Sequence, residues 1–174
     1  MIKFTKKKDS QIKIALLIYL FLTPLVSFAE INGKNWVKEC TEDNKNCLIA
    51  IRSELKSNNS EKAQILATAL IKVIPENLIK KAESIFTVHL PFNVDLRLNP
   101  LIVIDGTSIA NLTYTHCNTM FGCTANVSLS DDVVNIFKKG KELIVIVRVV
   151  GKEQNKLMKF SLKNFSSSYK LLIK

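Results

Sequence analysis

Four cysteines and two histidines are the residues of this chain best suited to chemistry, and the cysteines fall into two close pairs, Cys40 with Cys47 and Cys117 with Cys123. Paired thiols can hold a metal, cycle as a redox dithiol or close a disulfide. Zinc sites generally set paired cysteines about two to four residues apart, and a thioredoxin-like motif needs Cys-x-x-Cys. Neither spacing is present, which counts against a zinc site completed by His116 and against a redox dithiol. Four cysteines allow three pairings. The two local ones are expected, Cys40 with Cys47 and Cys117 with Cys123, because each closes a short polar loop, Thr41 to Asn46 in one case and Asn118 to Gly122 in the other. Each bridge is expected to contribute about 2–3 kcal/mol by restricting the unfolded chain, and such bridges persist in oxidising compartments.

The remaining candidates for catalysis are few. There is no Gly-x-Ser-x-Gly elbow, no His-Glu-x-x-His and no phosphate-binding glycine loop. His89 alternates with apolar neighbours and reads as a packed or strand-exposed residue. His116 beside Cys117 could polarise a thiol, but a disulfide removes that nucleophile. Asp131 and Asp132 resemble an acid/base pair, yet they stand where a helix start favours negative charge. Asn58, Asn111, Asn126 and Asn164 open glycosylation sequons, read here as chance in an Asn-rich chain. Trp36, beside the first cysteine loop, is expected to cover an edge of the core, with exposed ligand binding as its alternative. No catalytic residue, cofactor or metal is expected.

These residues sit in a chain with an export leader. Lys3, Lys6, Lys7, Lys8 and Lys13 precede an apolar run from Ile14 to Leu22, and Ser27-Phe28-Ala29 supplies small residues where a signal peptidase reads. The run is short against the ~20 residues of a spanning helix, so cleavage between Ala29 and Glu30 by a Sec-type route is expected. The first cysteine, Cys40, stands eleven residues past Ala29, too far for a lipoprotein anchor. Residues 1–29 are thus expected to be a cleaved signal peptide, and residues 30–174 one soluble domain with a core of its own.

The full chain of 174 residues carries 25 basic and 15 acidic residues, a net charge of +10. The leader holds five lysines and one aspartate, so the mature part keeps 20 and 14, or +6. Only Arg52, Arg97 and Arg148 are arginines, and the lysines are scattered. Nucleic-acid sites favour arginine forks interleaved with aromatics, so the charge reads as a solvated surface and no nucleic-acid partner is expected.

Beyond the leader the pattern is mostly of strands: Trp36 to Cys40, Cys47 to Leu55, Ser84 to Leu90, then Val94 to Leu98, Leu101 to Ile104 and Ile109 to Cys117 as a meander. Asp105-Gly106 is a turn signal. Cys123 to Leu129 alternates, Glu142 to Val150 reads as a strand buried on both faces, and Gly151 to Asn155 turns it into Lys156 to Leu162. One short helix is expected over about 131–139, capped by Ser130, with an apolar stripe of Val133, Val134, Ile136 and Phe137, lysines in its last turn, and Gly140 at its end. Lys62 to Ile74 has helical spacing at Ile65, Leu66, Ala69, Leu70 and Val73, but tertiary context often overrides such propensity. Short strands and turns in this rhythm point to two packed antiparallel sheets.

From about Asn35 to Leu172 the chain resembles the invasion-associated locus B family of exported bacterial proteins. The resemblance rests on Trp36-Val37-Lys38-Glu39-Cys40 with Cys47, on Leu90-Pro91-Phe92-Asn93-Val94 with Leu96, and on Ile102-Val103-Ile104-Asp105-Gly106. It continues through Tyr114-Thr115-His116-Cys117, Phe121-Gly122-Cys123-Thr124-Ala125, Lys138-Lys139-Gly140 and Phe160-Ser161-Leu162-Lys163-Asn164-Phe165. Asn93 and Asn164 stand where the family has Gly, and Pro75 to Ala82 resembles an enlarged loop; Asn tolerates left-handed backbone better than most residues. The resemblance implies a mainly β, immunoglobulin-like antiparallel sandwich, and it argues for a strand within Lys62 to Ile74. It also implies a periplasmic or outer-envelope location and a non-enzymatic binding or structural role, in envelope integrity or in contact with a host or surface. The partner would be an envelope protein or a surface component. The alternative is a periplasmic thiol-redox protein or enzyme that uses the Cys117 and Cys123 region.

Overall fold

The structure, a computed structural model, describes residues 34–43, 46–55, 64–75, 83–90, 93–118 and 122–173. The expected leader, its cleavage point between Ala29 and Glu30, and all of the expected enlarged loop except Pro75 lie outside the described residues. Within them the strands are β1 (Val37–Cys40), β2 (Cys47–Leu55), β3 (Gln64–Ile74), β4 (Glu83–Leu90), β5 (Leu101–Ile104), β6 (Thr107–Asn111), β7 (Thr113–Asn118), β8 (Gly122–Leu129), β9 (Glu142–Arg148) and β10 (Asn155–Ser161). The helices are α1 (Asp131–Lys139) and α2 (Phe165–Lys170). Six strands form one antiparallel sheet in the order β1-β2-β3-β4-β8-β7, and four form a second in the order β10-β9-β5-β6. The chain is therefore mainly β, with two short helices where one was expected.

The period of two in the sequence decides which side of each strand meets the core. In β4 the side chains of Phe86, Val88 and Leu90 are buried, and in β9 those of Leu143, Val145 and Val147 are. Strand β10 lies over β2 and β3, and its inward Met158 and Phe160 complete the layer between the sheets. The segment with helical spacing is a strand from Gln64. Its neighbours β2 and β4 pair along both of its edges, and the alternation of Ala67, Ala69 and Ile71 toward the core supplies the period a sheet needs. Tertiary pairing has overridden local propensity.

Four expectations from the sequence are corrected. The run from Leu90 to Cys117 is no meander within one sheet: the chain leaves the larger sheet after β4, makes the β5–β6 hairpin in the smaller one, and returns as β7. The expected strand Ile109 to Cys117 breaks at Leu112, which is fully buried and donates its N–H to Pro100 O at 2.8 Å. Val94 to Leu98 is a turn with one bridge, Val94 to Val149. There the Asp95 carboxylate accepts the Arg97 N–H at 3.1 Å and its guanidinium at 2.8 and 2.7 Å, which bends the chain away from a ladder. Finally, β9 is fully buried on one face only, because Ile144 and Ile146 lie half-exposed on the outer face.

The turn at Asp105-Gly106 has both residues at positive φ, 48° and 84°, as a two-residue hairpin requires. Asn93 and Asn164 also adopt left-handed backbone, with φ of 72° and 55°. Helix α1 starts as its sequence implies, with Ser130 Oγ accepting from Val133 N at 3.4 Å. Gly140 ends it for a different reason from the usual left-handed cap, since its φ is −69°. A Cβ there would lie 2.6 Å from Ile104 Cγ2 and 2.9 Å from Leu162 Cδ1, so the residue is set by close packing. An aromatic chain then ties both helices to the larger sheet: Phe86 to Phe137 at 5.6 Å, Phe137 to Phe165 at 5.5 Å, and Phe165 to Trp36 at 5.1 Å.

Candidate functional site

The cysteines occupy the two outer hairpins of the six-stranded sheet. Cys40 and Cys47 face each other at the β1–β2 turn and are joined by a disulfide; Cys117 and Cys123 do the same at the β7–β8 turn. Both pairs have Cα atoms 4.0 Å apart, close enough for a bridge between directly opposed residues. The first pair lies one position beyond the row Leu48, Lys72, Ile85, Ser128, and the second pair lies across from Leu90. That places the first pair in the row of Ser84, six residues from Leu90 on β4, so the bridges pin diagonally opposite corners, about 20 Å apart along the strands. Among the described residues there is no free cysteine.

The histidines share one cross-strand row on the outer face of this sheet, with Thr124 between them: His89 of β4 faces Thr124, which faces His116 of β7. His89 Nδ1 shares a hydrogen bond of 3.0 Å with Thr124 Oγ1, while His116 is exposed and its Nε2 lies 3.0 Å from Asn118 Nδ2. Half-burial, and then the charge of His116, hold His89 below the ordinary histidine value. Successive strand residues point to opposite faces, so His116 projects away from the Cys117–Cys123 bridge. The geometry does not couple imidazole to sulfur.

Trp36 is a core residue, 2% exposed, and it marks a tie that sequence reading missed. The Asn164 side chain accepts the Trp36 N–H at 3.2 Å and donates to the Trp36 carbonyl at 3.3 Å. Ser168 donates to the same carbonyl at 2.9 Å, and Trp36 Nε1 donates to Ser161 O at 2.9 Å. The start of β1 is thereby fastened to α2. Asn164 is thus absorbed by structure, as are Asp131 and Asp132 in the first turn of α1. Among the described residues no group of three or more His, Cys, Asp or Glu converges to hold a metal, and no helix is long and apolar enough to cross a membrane.

A shallow groove of about 360 Å³ opens between the outer edge of β6 and helix α1, lined by Ile104, Asp105, Thr107, Ile109, Ile136, Lys139 and Gly140. The Asp105 carboxylate is engaged by the backbone N–H groups of Glu142, at 2.9 Å, and Lys141, at 3.0 Å, which hold it below the ordinary carboxylate value. It is a structural clasp.

The architecture has a counterpart among solved structures. The crystal structure of invasion associated protein B from Bartonella henselae superposes with a TM-score of 0.67 at 17% identity, over 84% of this chain and 96% of that one. At that identity the likeness is one of fold. No match was found among curated proteins. The family model described as invasion associated locus B (IalB) protein matches residues 36–172, nearly the whole described fold. The chain belongs to the IalB family.

Proposed function

We propose that the chain is an exported protein of the bacterial envelope, processed after Ala29, whose domain of residues 30–174 is a non-enzymatic binding or structural module. It would reside in the periplasm or outer envelope and meet an envelope protein or surface component there. The observation that supports this reading most is the placement of the disulfides: both outermost strands of the larger sheet, β1 and β7, are locked into hairpins. A rim held rigid before contact loses less entropy on binding, and bridges of this kind belong to an oxidising compartment. Family membership is consistent with an envelope role.

Cross-linking in living cells followed by isolation of the tagged protein tests the reading. A reproducible envelope component, cross-linked through residues of the sheet rims, is the expected result. A clean absence of partners across growth conditions contradicts it.

A further inference from the structure

The four-stranded sheet ends in β6, and no described strand pairs with its outer backbone edge. Beside that edge lies the groove bounded by α1, whose Ile104, Ile109 and Ile136 side chains make an apolar floor. Ile136 is 39% exposed although it belongs to the apolar stripe of its helix. The register of β6 against β5 shifts between Ile102 and Val103, so Ile109 is an extra residue opposite that step. A bulge of this kind re-aims a side chain, and here Ile109 lines the groove. Lys139 stands on the rim, exposed, and meets no carboxylate among the described residues. Asp105, the acidic group of the groove, is already held by backbone N–H groups. An edge that no described strand pairs, an apolar pocket beside it and an exposed lysine in no ion pair among the described residues define the chemistry of an occupant.

We propose that β6 and this groove receive an extended acidic peptide segment of a partner, added as a further strand, with an aliphatic side chain seated over Ile109 and Ile136 and a carboxylate toward Lys139. Strand addition takes its affinity from main-chain hydrogen bonds and its selectivity from pockets for alternate side chains. The bulge confines pairing to a few residues, so binding is weak and short. The inference rests on the reading of the domain as a binding module and assigns that role one edge and one partner chemistry.

The test uses ¹⁵N-labelled protein purified from expressing cells with its disulfides intact. The probe is an acetylated, amidated hexapeptide alternating glutamate and valine, compared with its lysine–valine counterpart and with a form whose alternate amides are N-methylated. Saturable amide shifts from Thr107 to Asn111 and at Ile136, Lys139 and Gly140 are expected. The lysine peptide should bind at least threefold more weakly, the size of a screened ion pair at a surface, and N-methylation should abolish binding. Lys139→Glu should reverse the preference, and Ile136→Glu, an exposed change that leaves the rest of the amide spectrum in place, should weaken binding of both peptides. Shifts clustered on β7 or the cysteine turns overturn the β6 assignment while leaving the module reading intact, and no saturable shift up to millimolar peptide overturns it as well. The same β6 amides shifting with phosphatidylglycerol vesicles, or with protein concentration alone, would assign the groove to lipid or to a second copy and overturn the peptide proposal. Failure of the module reading itself is decided separately, by the cross-linking experiment.

Discussion

At the scale of single residues, Asn164 carries two duties that pull in different directions. Its φ of 55° favours Gly, while its amide clasps both backbone groups of Trp36. Asn164→Gly keeps the backbone and loses the clasp; Asn164→Ala loses the clasp and adds left-handed strain of about 1–2 kcal/mol. Stability by urea unfolding should therefore fall in the order Asn, Gly, Ala, with a total loss of about 1–3 kcal/mol for Ala. Equal stability of the Gly and wild-type proteins would show that the clasp contributes nothing. Asp95 predicts the acid limb. The Arg97 side chain first, and its backbone N–H next, hold the Asp95 carboxyl down to about 2. A depressed carboxyl contributes stability that is present above its unfolded value near 4 and lost as pH falls from about 4 toward 2. The exposure of Arg97 keeps this contribution small. His89 is likewise depressed, so its contribution is lost as pH falls below about 6.5. In unfolding measured against pH, Asp95→Asn should flatten the region below pH 4 and leave the region near 6 alone, and His89→Gln should do the converse.

At the scale of elements, the bridges and the α1 junction act locally. Replacing Cys40 and Cys47 together by Ser, or Cys117 and Cys123 together, should cost about 2–3 kcal/mol each. Because they pin opposite corners, the two losses should add to within about 0.5 kcal/mol. Strong coupling between them, read in the same unfolding series, would mean that the corners communicate through the sheet. Gly140→Ala should destabilise by about 1–3 kcal/mol, because the new methyl meets Ile104, a stiff β-branched neighbour. These elements were also the legible ones. Capping at Ser130, the Asp105-Gly106 turn and the cysteine hairpins are each encoded within a few residues. Leu112 could not be read in the same way: nothing local in Ile109 to Cys117 marks the residue at which the chain changes sheets, since the cause is burial between layers and a bond to Pro100. Helix α2 is only six residues long and held by Trp36, just before β1, and by Ser84 of β4, so its sequence carries little signal. The alternation Ala67, Ala69, Ile71 was present in β3 but overlaid by a helical spacing, and only pairing on both sides decides between them.

At the scale of the whole molecule, the two sheets, the aromatic chain and the Trp36 clasp make one body whose first and last described elements are fastened together, while the larger sheet keeps both rims as rigid hairpins. The candidate site was legible only in part: the cysteine pairs could be read from their spacing, whereas the β6 groove is assembled from β5, β6 and α1, which no local pattern brings together. The proposed function requires an exported and oxidised domain. Intact-mass spectrometry with thiol counting, on protein isolated from the envelope, addresses that claim most directly. The predicted result is the mass of residues 30–174 less four hydrogens, with no alkylatable thiol before reduction and four after it, matching two bridges. A mass that retains residues 1–29, or thiols that react without reduction, would contradict it.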